Sequence, residues 1–265
     1  TMNAATHSQT ALITGASSGI GATYARRLAA RGYNLLLVAR NEERLQQLAT
    51  ELVANHAVQV EVLAADLSQH DDIERVAARL RSDEQISLLI NCAGVALNGS
   101  LAEADLDSAH NLLQLNLLAL TMLSSAAAVR FGLAGRGAII NIGSVVALLP
   151  ERFNAIYSAS KAYVLSLSQS LHSELSGTGV QVQVVLPGVT RTEIFERSGS
   201  SLAQIPPSMV MEVDELVDAA LRGFDQGELV TIPSLPDSNE WQALTQARLQ
   251  LAPNLSHNHP AARYH

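Results

Sequence analysis

The sequence predicts a single doubly wound α/β domain with a seven-stranded parallel sheet flanked by helices. Three observations carry that prediction. Short, near-continuous apolar runs recur along the chain, and segments of helical period separate them. Strands that are apolar on both faces and alternate with helices belong to a parallel sheet covered on both sides. Composition agrees, since 48% of the 265 residues are hydrophobic and 16% are charged, which suits a compact chain with a sizeable core.

The elements follow in order. A strand at 11–14 runs into the glycine-rich stretch Thr14-Gly15-Ala16-Ser17-Ser18-Gly19-Ile20-Gly21, and a helix at 20–31 begins at once. Gly32 then supplies the helix stop and a strand at 35–39 follows. A helix at 42–55 leads to a strand at 58–64. Ser68, with Asp71 three residues on, has the form of a capping box opening the helix at 71–81. A strand at 88–91, a long helical stretch at about 107–130 and a strand at 138–142 come next. A helix at 157–176 and a strand at 180–186 complete the regular alternation.

After residue 187 the period loosens. Residues 189–212 hold a serine cluster, Gly199 and Pro206-Pro207, as in a mobile loop over a substrate site. Two more helices are expected at 213–224 and 239–251, with the last strand near 229–232. The tail 256–265 carries three histidines without metal-ligand spacing and is read as solvated and prone to disorder. All of 1–265 is thus read as one domain.

Charge and cysteine content narrow the function. A net charge of −8 argues against a nucleic-acid groove or an anionic membrane surface as partner. The apolar stretch near 112–129 is interrupted by Gln114, Asn116, Thr121, Ser124 and Ser125, so it does not read as a membrane span. The one cysteine, Cys92, rules out an internal disulfide and reads as a small core residue. The first residues show no basic segment followed by an apolar run, and the expected location is the cytoplasm.

The chemistry is concentrated in Tyr157-Ser158-Ala159-Ser160-Lys161 and in Ser144 upstream. Residues four apart share a helix face, so the ends of Tyr157 and Lys161 can meet. An ammonium beside a phenol favours the phenolate and lowers a pKa of about 10, which makes tyrosine a usable acid/base. The glycine-rich turn, placed between a strand and a helix, lets backbone N–H groups approach a pyrophosphate at the positive end of the helix.

Together these motifs resemble the short-chain dehydrogenase/reductase family. Further matches are Asn91-Cys92-Ala93-Gly94 after the fourth strand, Asn116 in the long helix and Pro187-Gly188 after the sixth strand. The resemblance covers nearly the whole chain and implies a Rossmann fold. Cys92 departs from it, standing where the family usually has a second asparagine. The resemblance implies that Tyr157 exchanges the proton, Lys161 lowers its pKa and holds the nicotinamide ribose, Ser144 bonds the substrate oxygen, and Asn116 supports a proton-relay water. Cofactor contacts would come from Gly15, Ser17, Ser18, Gly19, Ile20, Gly21, Asp66, Leu67, Asn91, Ala93, Gly94, Tyr157, Lys161, Pro187, Gly188, Val189 and Thr192. Family members that prefer NAD carry an acid at the end of the second strand; Ala39 stands there, followed by Arg40. A guanidinium in place of a carboxylate favours a 2′-phosphate, and the expected cofactor is NADP(H).

The expected reaction is reduction of a mainly hydrophobic ketone or aldehyde, or its reverse on a secondary alcohol, since Val95, Val146, Phe153, Val189, Ile194, Phe195 and Met209 are mostly apolar. Arg152 and Arg191 offer a carboxylate partner as an alternative. A 3-oxoacyl thioester on a carrier protein is the runner-up, opposed by the negative charge of the chain. A catalytically silent NADP(H) sensor is more remote. The resemblance also implies a homodimer or homotetramer.

Overall fold

The computed structural model describes residues 9–193, 197, 199 and 201–264. The chain forms two compact units, the first ending at Pro233 and the second beginning at Ser234. All seven strands lie in the first. They are β1 (Thr10–Thr14), β2 (Asn34–Ala39), β3 (Val60–Ala64), β4 (Ile86–Asn91), β5 (Gly137–Ile142), β6 (Val180–Val185) and β7 (Val230–Thr231). Their order is β3-β2-β1-β4-β5-β6-β7, with every neighbouring pair parallel. The order reverses between β1 and β4, which opens a crevice at the carboxyl ends of those strands.

The helices are α1 (Gly19–Ala30), α2 (Glu42–Asn55), α3 (His70–Ser82), α4 (Leu106–Leu113), α5 (Leu120–Ala134), α6 (Ala155–Glu174) and α7 (Val213–Asp225). A π-helical turn, Gln114–Ala119, joins α4 to α5. Because side chains alternate along a strand, β1 feeds two cores. Ala11 and Ile13 pack with Tyr24, Leu28, Leu45 and Val217, whereas Leu12 packs with Ile73, Val76 and Leu123. Covering both faces explains why the strand runs read as continuously apolar.

Local signals act as the sequence implies at most junctions. Gly32 adopts φ 87 and its N–H reaches the carbonyl of Ala29, closing α1. Asn41 caps α2 by accepting from the Arg44 N–H at 3.0 Å. The capping box at Ser68 does not form. The N-cap of α3 is Gln69, without a side-chain bond. Ser68 instead donates its hydroxyl to Asp66 at 2.7 Å, and Asp72 reaches back to the Asp66 N–H. Asp66, which precedes the expected box, captures the serine first.

The run Leu106–Ala134 is long and apolar enough to cross a membrane by composition, with mean hydropathy 1.7. In this fold α5 packs on α3, β4 and β5. The second unit holds α8 (Ser238–Leu249) and short 3-10 turns at Ala252–Asn254 and Ala262–Tyr264.

Candidate active site

The glycine-rich turn is built by chain packing on chain. A Cβ on Gly21 would stand 2.2 Å from the Gly15 carbonyl oxygen, and one on Gly15 would stand 2.9 Å from Ala93 Cα. These two glycines let the turn fold onto itself and onto the segment after β4. Gly19, at φ 54, makes the left-handed step into α1. Thr14 ties the same two segments: its hydroxyl oxygen accepts from the N–H groups of Cys92 and Ala93 at 3.0 and 3.1 Å. This role of Thr14 comes from contacts 78 and 79 positions away and is not legible in the motif itself.

The N-terminus of α1 has no side-chain cap and no acid in its first turn. Helix N–H groups without a protein acceptor favour an anion there. Ser17, Ser18, Gly19 and Ile20 sit at this end, partly buried. The methyl group of Thr192 lies 3.5 Å from where a Gly19 Cβ would be, so the chain after β6 crosses over the turn. Arg40 is exposed at the end of β2 and makes no ion pair among the described residues. Asp66 and Leu67 follow β3, and Asp66 uses one carboxylate oxygen on Ser68. The residues present therefore fit a dinucleotide: an uncapped helix end, a glycine cradle and an uncommitted guanidinium.

Across the switch point stand the expected catalytic residues. Asn154 caps α6, accepting from the Tyr157 N–H at 2.9 Å, and its amide donates to the Gly99 carbonyl at 2.8 Å. This residue, missed in the sequence, fixes where Tyr157 enters the site; an asparagine just before a helix was its signal. Lys161 donates from Nζ to the Ile142 carbonyl at 3.1 Å, at the end of β5. Its Nζ lies 5.8 Å from the centre of the Tyr157 ring. Ser144 is buried, and its oxygen accepts from the Val146 N–H at 3.2 Å.

Asn116 lies in the π-helical turn and is buried. It pairs with Val95 through both backbone groups, each at 2.9 Å, and its amide also reaches Ser160 at 3.4 Å. A Cβ on Gly94 would sit 3.2 Å from Asn116 Oδ1 and 3.9 Å from Lys161 Nζ, so Gly94 marks the point where the two meet. A π-turn is an uncommon insertion that recurs at functional sites.

The electrostatics differ from the sequence expectation. Burial pushes the Tyr157 phenol above its ordinary value, and its hydrogen bond with Ser144 opposes the shift. Burial also pushes Lys161 down to about 8. In the protein alone desolvation is the larger influence on both groups, and the phenol lies above its ordinary value.

The carboxyl ends of β4 and β6 complete the crevice. Asn91 is buried behind Cys92, Ala93 and Gly94. The Pro187 carbonyl accepts from the Val145 N–H at 3.0 Å, and the Gly188 carbonyl accepts from the Thr190 hydroxyl. Val189 and Thr190 are joined to Met211 by backbone pairing, which pins the base of the 189–212 segment. Val146 is buried, while Phe153 and Met209 are exposed. Ile194 and Phe195 lie outside the described residues. Arg191 pairs with Glu212 at 2.9 Å and is committed there, leaving Arg152 exposed. A cavity of about 400 Å³ opens beside Val95, lined also by Ala96, Leu97, Asp107, Ser108 and Asn111. Its polar wall comes from α4, which the fold brings alongside Val95.

The family model "short chain dehydrogenase" matches residues 9–203. A solved short-chain dehydrogenase from Sphingobium yanoikuyae, in complex with NADPH, is 51% identical, with TM-score 0.93 over 97% of this chain and 100% of that one. The bulky-bulky ketone specific alcohol dehydrogenase from Comamonas testosteroni is 47% identical, with TM-score 0.90 over 98% of this chain and 99% of that one. A very-long-chain 3-oxoacyl-CoA reductase from Anas platyrhynchos is 32% identical over 202 residues, 74% of this chain and 64% of the relative's own length.

Proposed function

The chain belongs to the short-chain dehydrogenase/reductase family, and on that premise we propose an NADPH-dependent reductase of mainly hydrophobic ketones and aldehydes, reversible on secondary alcohols. It is an oxidoreductase of carbonyl and hydroxyl groups. The observation that carries the reading is the meeting of Ser144, Tyr157, Lys161 and Asn116 across the switch point from the glycine turn.

When bound, the nicotinamide nucleotide supplies the hydride. The chain must place and protonate the carbonyl oxygen. A phenol held above its ordinary pKa is protonated at neutral pH, so Tyr157 is ready to donate from Oη as general acid. The Ser144 hydroxyl bonds the same oxygen and stabilises the charge developing there. The Lys161 ammonium then faces the phenolate left behind, and Asn116, braced by Val95 and Ser160, holds the lysine side of the site. Arg40 and the α1 N-terminus would hold the nucleotide's phosphates.

Support for NADPH comes from Arg40 after Ala39 and from the NADPH-bound structure at 51% identity. Support for hydrophobic ketones comes from Val95, Val146 and Val189 and from the ketone-specific dehydrogenase at 47% identity. The exposed Leu113, Leu118, Val129 and Leu133 favour a homo-oligomer packed through the long helices. Initial rates of NADPH and NADH oxidation across bulky ketones, aldehydes and 3-oxoacyl thioesters test the proposal. Turnover of bulky ketones that prefers NADPH and disappears in Tyr157→Phe is the expected result. Preferential turnover of 3-oxoacyl thioesters overturns the substrate class in favour of the reading suggested by the 3-oxoacyl-CoA reductase relative.

A further inference from the structure

We propose that Arg44 is a second cation for the 2′-phosphate of the cofactor, and that Glu193 occupies it as an internal competitor. This rests on the NADP(H) reading above and adds to it a residue pair that links nucleotide identity to the segment following β6.

The geometry begins at the end of β2. Arg40 precedes α2, and Arg44 is the third residue of that helix, its backbone fixed by the Asn41 cap. The Arg44 guanidinium donates from Nη1 to both carboxylate oxygens of Glu193, at 3.2 and 3.0 Å. Glu193 adjoins Thr192, whose methyl group covers Gly19. A single stretch of chain therefore runs from the phosphate-binding turn to the arginine four residues after Arg40. Arg197 donates to Glu193 as well, so the carboxylate lies between two guanidiniums.

Charge counting shows why a second cation is needed. A phosphate monoester carries about −1.5 to −2 charges at neutral pH. No basic residue lies in the turn from Gly15 to Gly21. Glu42 and Glu43, in the same turn as Arg44, oppose an anion. Arg40 alone leaves the phosphate undercompensated, and Arg44 is the next cation along the chain. Glu193 shows that Arg44 reaches an anion on this side of α2. The two guanidiniums hold its carboxyl below the usual range, with Arg44 the larger influence. When phosphate takes Arg44, Glu193 keeps Arg197, so no carboxylate is left without a cation. The exchange is one of anions on a planar guanidinium suited to both.

Isothermal titration with 2′,5′-ADP and with 5′-AMP tests this without hydride chemistry, on wild type, Arg44→Gln, Glu193→Gln and the double variant. Melting curves check that each is folded. Arg44→Gln should weaken 2′,5′-ADP about tenfold while leaving 5′-AMP unchanged, as for loss of one charge-assisted bond. Glu193→Gln should tighten 2′,5′-ADP about threefold, a typical effect for an exposed pair, and the gain should vanish in the double variant. Unchanged discrimination in Arg44→Gln, or weaker 2′,5′-ADP binding in Glu193→Gln, overturns the proposal. If wild type does not prefer 2′,5′-ADP to 5′-AMP, the NADP(H) reading falls too. A preference as large in Arg44→Gln as in wild type removes Arg44 alone.

Discussion

Asn91 donates from Nδ2 to Oδ1 of Asn141 at 2.9 Å, across directly paired positions of β4 and β5. The contact belongs to a buried ladder. Asn91 also donates to Ser124 of α5 at 3.1 Å, and Asn141 donates to Ser168 of α6 at 3.1 Å. These four polar side chains clamp the two strands and two helices behind Ser144 and Lys161. Asn141→Ala leaves Asn91 and Ser168 short of partners in a dry interior. It should cost on the order of 2–4 kcal/mol in urea melts. Thr121→Val removes an exposed bond to Tyr163 and should cost less than about 1 kcal/mol. Equal losses would show that the ladder adds nothing special.

Tyr157→Phe should lower turnover by about 10²–10⁴-fold while nucleotide binding, read by NADPH fluorescence, falls far less. The ring stays and only the proton donor goes. A variant that keeps wild-type turnover would remove Tyr157 from the acid role.

Ser144→Ala deletes the hydrogen bond that restrains the upward shift of the tyrosine. Its phenol should titrate at higher pH than in wild type. The alkaline limb of the reduction pH profile should move up, with a lower plateau. A limb that stays in place would mean that Ser144 does not touch the phenol.

Lys161 titrates at about 8 in the folded protein, against an ordinary 10.5. Below about pH 8 both folded and unfolded chains hold the proton, so the folded protein bears the whole cost of burying the charge. Between these values the unfolded chain binds more protons, and stability rises with pH. Lys161→Met should therefore melt higher than wild type at neutral pH, by at most about 3 kcal/mol, with the difference shrinking toward pH 10.5. A difference independent of pH would place the ammonium in water.

Gly21→Ala sets a Cβ against the Gly15 carbonyl and should abolish nucleotide binding along with much of the stability. Gly32→Ala meets no atom within 4 Å and pays only for its φ of 87, about 1 kcal/mol, with binding intact. The two melts and two titrations separate a packing glycine from a turn glycine.

Much of this protein is written locally. Helix 42–55 coincides with α2, and the strand at 35–39 lies one residue from β2, because period and turn residues act over a few positions. The glycine turn, the Tyr157/Lys161 spacing and Arg40 after Ala39 are likewise read directly from neighbours in sequence. Contacts between distant residues decided the rest. Asn116 bonds Val95 through a π-turn that no local period announces. Arg44 meets Glu193 across 149 positions. Ser68 turned to Asp66 instead of capping a helix, and Tyr157 shifted up instead of down. Hydrogen-bond competition and desolvation depend on what the fold brings alongside a group, and neither is set by spacing along the chain.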